Sequence, residues 1–103
     1  MNSLERTIEA KFVIEVQKLG TTALKVGLDG WPDRLVPLGK AYPGAVVWIE
    51  FKNATGRLRA NQKIRHKQLA QMGQTVAVCR SVTEALGVIA KARRAIDNAK
   101  RGD

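Results

Sequence analysis

The sequence predicts an α/β domain in which helices flank a mixed sheet, in the order αβββαβα. Three observations carry this prediction. Leu4, Ile8, Phe12, Val16 and Leu19 recur at three- and four-residue spacing, as the buried stripe of a helix does. Of the apolar, β-prone runs, Arg34 to Leu38 lies between Pro32 and Gly39, Ala45 to Lys52 between Gly44 and Asn53, and Thr75 to Cys79 follows Gly73. A helical stretch separates the second of these runs from the third, which is the crossover that a parallel strand pair requires.

The first helix covers residues 3 to 19. Asn2, with Glu5 three positions on, offers it a cap, and Gly20 ends it. Glu5 and Glu9 fall at the shoulder of the apolar stripe, so each must reach the rim of the core or coordinate something. Thr21 to Val26 is a short strand, and Gly27-Leu28-Asp29-Gly30 is a turn by composition. Pro32 cannot donate a ladder hydrogen bond and therefore belongs where the next strand begins. That places Asp33 at a strand start, just after a glycine-rich loop. Gly39 to Gly44 then connects to the strand ending at Lys52, and a hairpin would bring Asp33 and Glu50 to the same end of neighbouring strands.

On this third strand, alternation sends Glu50 and Lys52 to one face and Ile49 and Phe51 to the other. Asn53-Ala54-Thr55-Gly56 breaks it, and a helix from Arg59 to Met72 follows. Ile64, Leu69 and Met72 define the expected buried side of that helix, whereas Lys63, His66 and Lys67 point elsewhere. Gln62 lies seven residues before Leu69, at the margin of the buried face and able to look toward the carboxylates. The lone histidine, His66, reads as a solvent or phosphate contact rather than a general base or metal ligand. Gly73 ends the helix, Thr75 to Cys79 is apolar, and Ser81-Val82-Thr83-Glu84 is a capping box. The last helix turns Val82, Leu86, Ile89 and Ile96 inward, and residues 98–103 read as a frayed basic tail.

At 103 residues the chain is expected to form a single domain, 1–103. No apolar run approaches the roughly 18 residues of a membrane span. The polar, acidic start Met1-Asn2-Ser3-Leu4-Glu5 lacks the order of a secretory signal, and Cys79, the single cysteine, rules out an internal disulfide. A cytoplasmic protein with no membrane partner is expected. Net charge is +9, from 18 Lys and Arg against 9 Asp and Glu. From Asn53 to Thr83 there is no acidic residue, while Arg57, Arg59, Lys63, Arg65, Lys67 and Arg80 fall there. A one-signed field of this kind favours a polyanion, with Lys25, Arg34, Arg57, Arg59, Lys63 and Lys67 as candidate DNA contacts.

Charge alone suits a binding module as well as an enzyme. The acids at Asp33 and Glu50 separate the two, because a purely cationic binder has no use for them. Two carboxylates and the Lys52 amine at one sheet edge suit a hard divalent cation beside a phosphate.

The ordered set Glu9, Gly30-Trp31-Pro32-Asp33, Glu50-Phe51-Lys52 and Gln62, followed by Leu69 to Val78, resembles the PD-(D/E)XK nuclease superfamily. Within it, the set resembles the stand-alone VRR-NUC domains of phages and bacteria. The resemblance covers roughly residues 4 to 90. It implies a restriction-endonuclease-like αβββαβ core with a mixed central sheet flanked by helices, plus a C-terminal helix. It implies Mg2+ or Mn2+ held by Asp33, Glu50, the Phe51 carbonyl and Glu9, directly or through water, with Glu5 as the alternative acid. Glu9, Asp33, Glu50, Lys52 and Gln62 would be the catalytic set, Lys52 orienting water or stabilising charge at phosphorus. It also implies a homodimer resolving four-way DNA junctions, with no small-molecule cofactor. A flap, nicking or nonspecific nuclease is the alternative, and a non-catalytic DNA-binding module a further one.

Overall fold

The computed structural model describes residues 2–102. Its elements are α1 (Ser3–Lys18), β1 (Leu24–Lys25), β2 (Arg34–Pro37), β3 (Val46–Phe51), α2 (Ala60–Gln71), β4 (Thr75–Cys79) and α3 (Val82–Lys100). Four strands form one sheet in the order β1-β2-β3-β4. β1 with β2 and β2 with β3 are antiparallel, whereas β3 with β4, joined through α2, is parallel. The fold is therefore α/β with a mixed sheet, in the expected element order.

Local chemistry sets most of the boundaries. The Asn2 side chain accepts the Glu5 N–H at 2.9 Å to cap α1, and Ser81 Oγ accepts the Glu84 N–H at 3.1 Å to cap α3. The first strand is shorter than its sequence suggests. Only Leu24 and Lys25 pair with β2, while Thr21 ties down the approach by donating from Oγ1 to the Pro37 carbonyl at 2.6 Å.

One face of the sheet carries the core. Val36, Val47, Ile49 and Phe51 are buried against Phe12 and Val16 of α1 and Ala85 and Ile89 of α3. The Phe12 and Phe51 rings meet with centroids 5.3 Å apart. Each fully buried side chain of this size contributes roughly 1.5–3 kcal/mol. Cys79 is buried among them, and burial pushes its thiol up to about 11, so it acts as a small apolar residue.

α2 covers the other face along a narrow line. Gln62 and Leu69 are its buried residues, and Ile64 and Met72, expected inside, are 61% and 66% exposed. At 3.6 residues per turn Ile64 stands roughly 200° round from Gln62, and Met72 is the C-cap beyond the last turn. Leu4 and Leu19, at the two ends of α1, also stay largely exposed. The tail departs from expectation too. α3 continues through Lys100, whose Nζ donates to the Ala41 carbonyl at 3.3 Å, so residues 98–100 are helical, and Asp103 lies outside the described residues. Among the described residues, no helix is long and apolar enough to cross a membrane.

Candidate active site

The pairing of Arg34 with Ile49 sets Asp33 opposite Glu50 at the end of the β2–β3 hairpin. The loop that delivers Asp33 is held from several sides. Gly30 turns the chain at φ +82°, and a Cβ there would meet Asn61 Nδ2 at 3.2 Å, so both conformation and space call for glycine. Asp29 accepts from Arg59 Nη2 at 3.1 Å and from Asn61 Nδ2 at 3.0 Å, clipping the turn to the start of α2. Trp31 packs against Trp48 with ring centroids 5.5 Å apart and planes tilted by 37°, and the Arg65 guanidinium lies 4.4 Å above the Trp31 ring. These half-buried tryptophans serve to pack the Asp33 loop on the sheet. Asp33 itself accepts the Phe51 N–H through Oδ2 at 2.7 Å.

Glu50 is the most perturbed acid. It is 2% exposed, and its pKa is raised from 4.5 to about 8, first by burial, then by the Asp33 charge and a hydrogen bond with Asp33. Lys52 and Arg59 oppose the rise, with Lys52 Nζ 3.9 Å from Glu50 Oε2. Gln62 Nε2 donates to the same oxygen at 3.4 Å. The orientation of that amide is determined, because its Oε1 accepts the Arg59 N–H at 2.8 Å. Gln62, Lys52, Asp33 and Glu50 thus come together as their order along the chain anticipates.

His66 does not lie where the sequence reading put it. Its side chain is 11% exposed and turns inward, with Nε2 3.6 Å from Glu50 Oε1. Burial lowers its pKa from 6.5; Asp33 acts against that and Lys52 with it. The shift favours the uncharged ring. The available signal was the four-residue spacing from Gln62, which puts both side chains on one face of α2. The low hydrophobicity of that face hid it.

The helix-one acids are spoken for. Glu9 Oε2 takes the Arg34 Nε–H at 2.6 Å, and Arg34 Nη1 donates to the Ala23 carbonyl at 3.1 Å. Arg34 therefore serves the fold, its guanidinium held in a largely buried pair. Glu5 Oε1 accepts the Asn53 N–H at 3.2 Å, just past Lys52. Among the described residues, no three His, Cys, Asp or Glu side chains converge closely enough to enclose a metal ion by themselves, so Glu9 does not complete a three-carboxylate cluster.

Of the other basic residues, Arg59 is engaged by Asp29, and Arg80 Nη1 donates to the Asn53 and Gly56 carbonyls at 2.6 and 2.7 Å. Arg57, Lys63 and Lys67 are exposed, as is Lys25. Lys25 lines a groove of about 240 Å³ with Arg6, Glu9, Leu28, Trp31 and Asp33. Two basic and two acidic side chains thus share this partly apolar groove, with Asp33 in its wall.

No model of a known protein family matches this chain, and no curated protein does. Its chemistry has to be read from the geometry. The donors fit a hard divalent cation. The Asp33 charge beside Glu50 adds to the cost of ionising it, a cost that a cation relieves, and among the described residues Glu50 Oε1 and His66 Nε2 are buried without hydrogen-bond partners. Asp33, Glu50 and the Phe51 carbonyl would hold such an ion, with water completing its shell.

Proposed function

We propose that the protein is a divalent-metal-dependent DNA endonuclease of the VRR-NUC kind, with the restriction-endonuclease-like core that this implies. The observation that carries the reading is the convergence of Asp33, Glu50 and Lys52 at one end of the β2–β3 hairpin, in a chain of net charge +9. Mg2+ or Mn2+ bound there would polarise a phosphodiester oxygen and make a coordinated water more acidic.

The chain's own residues supply the rest. The Lys52 ammonium stands at the carboxylates, where it meets charge developing on phosphorus. Gln62 holds the Glu50 carboxylate from the helix side. Glu9, fixed by Arg34, sits at the rim of the groove beside Asp33 and acts through water. Arg57, Lys63, Lys67 and Lys25 bind phosphates along the duplex arms.

Branched DNA as substrate and a homodimer as the working unit follow from the VRR-NUC resemblance, since paired symmetrical cuts need two copies of a single small site. The test is cleavage of end-labelled four-way junctions, flaps and linear duplex by the full chain with Mg2+, Mn2+ or EDTA. Symmetrical paired nicks that vanish in EDTA and in Asp33→Asn are expected. DNA that is shifted but uncut under every metal condition would leave only a cationic binding module.

A further inference from the structure

Two adjacent buried atoms of the site have no hydrogen-bond partner among the described residues: Glu50 Oε1 and His66 Nε2. They face each other at 3.6 Å. Buried polar atoms in native proteins are rarely left in this condition, because each forfeits its bonds to water and gains nothing in return. On the other side of the same carboxylate, Gln62 Nε2 reaches Oε2 at 3.4 Å. Gln62 and His66 stand one helical turn apart on α2, so a single helix face presents one nitrogen to each oxygen of Glu50.

We propose that His66 is a positioning residue for the cation site: with Gln62 it forms a two-pronged clamp that fixes the Glu50 carboxylate for metal binding. The inference rests on the reading of Asp33 and Glu50 as cation ligands. A carboxylate has about four lone-pair positions, so one donor on each oxygen leaves room for the ion. Closing the His66 contact to the roughly 2.7–2.9 Å of a hydrogen bond to an anionic oxygen needs a movement of less than about 1 Å. The proton must then be on Nε2. The Gln62 prong is already set, because its carbonyl end is occupied by the Arg59 N–H. Hydrogen bonds to metal-binding carboxylates hold the ligand geometry, and their loss typically weakens metal affinity by about 10–100-fold.

The test measures Mn2+ and Mg2+ binding to the full chain by calorimetry, without DNA. His66→Ala should weaken affinity by about 10–100-fold. His66→Gln, whose amide can place a donor near the same point, should return it close to the starting value. The Mn2+ complex of the unaltered chain should show no imidazole nitrogen coupling in pulsed electron paramagnetic resonance. Equal affinity in His66→Ala, or no recovery in a folded His66→Gln, overturns the clamp. Nitrogen coupling that disappears in His66→Gln also overturns it, by making the imidazole a direct ligand. Failure of the unaltered chain to bind either ion removes the nuclease reading and the clamp together, so the two failures are distinguishable.

Discussion

In the absence of a cation, the buried Glu50 carboxyl makes stability fall as pH rises. Its pKa goes from 4.5 to about 8 on folding, so between those values the folded chain holds a proton that the unfolded chain has released. The unfolding free energy then declines with pH across that window. The penalty is absent where both states are protonated, grows through the window, and is complete above about pH 8. At about 1.4 kcal/mol for each pH unit separating the two values, the full penalty is on the order of 4–5 kcal/mol. A domain of this size loses roughly 4–8 °C in Tm for each kcal/mol, so a fall of 10 °C or more between about pH 5.5 and 8 is expected in EDTA.

On the proposed reading a divalent cation would displace the proton and remove the penalty, so the Tm gain from Mg2+ should be larger at about pH 8 than at 5.5. Affinity should strengthen about tenfold per pH unit up to the Glu50 pKa, with one proton released on binding. Thermal melts monitored by circular dichroism, with and without Mg2+, measure both effects. Glu50→Gln keeps the shape without the titration and should flatten the EDTA profile while abolishing the Mg2+ gain. If the unaltered chain in EDTA follows the same pH profile as Glu50→Gln, the assignment of a destabilising carboxyl to this position is wrong.

Other perturbations separate chemistry from folding. If the proposed nuclease reading holds, Lys52→Ala should lower single-turnover junction cleavage by about 100- to 1,000-fold while leaving DNA affinity near its original value, because its charge would then act on the transition state. Combined Lys63→Ala and Lys67→Ala should weaken DNA binding on every sequence and reduce the slope of log affinity against log salt by about 2, read by fluorescence anisotropy. Glu9→Ala, which strands the Arg34 guanidinium in a largely buried pair, should cost about 3 kcal/mol in urea melts. Ile64→Ser and Met72→Ser should change stability by less than about 0.5 kcal/mol each, because both side chains are mostly in water.

Backbone periodicity is local, and for that reason much of this protein was legible before any coordinates. A strand alternates faces whatever it packs against, so Glu50 and Lys52 had to share a side, and Pro32 had to stand at a strand start with Asp33 behind it. The glycine and capping residues around α1, α2 and α3 likewise act within a few residues of themselves. The sequence by itself thus determined the element order and the mixed sheet, and placed Asp33 and Glu50 at strand positions that the observed register then set opposite one another.

What tertiary structure alone decided are rotations and partnerships between distant segments. α2 carries few apolar residues, so its hydrophobic pattern could not say which face turns inward; packing on the sheet chose the Gln62–His66–Leu69 side and left Ile64 in water. Nothing in the sequence around Arg34 says that it pairs with Glu9, 25 residues earlier in the chain; the placement of β2 against α1 decides that. Such pairings depend on how separate elements are brought together in space, and the spacing of residues within one element carries no record of that.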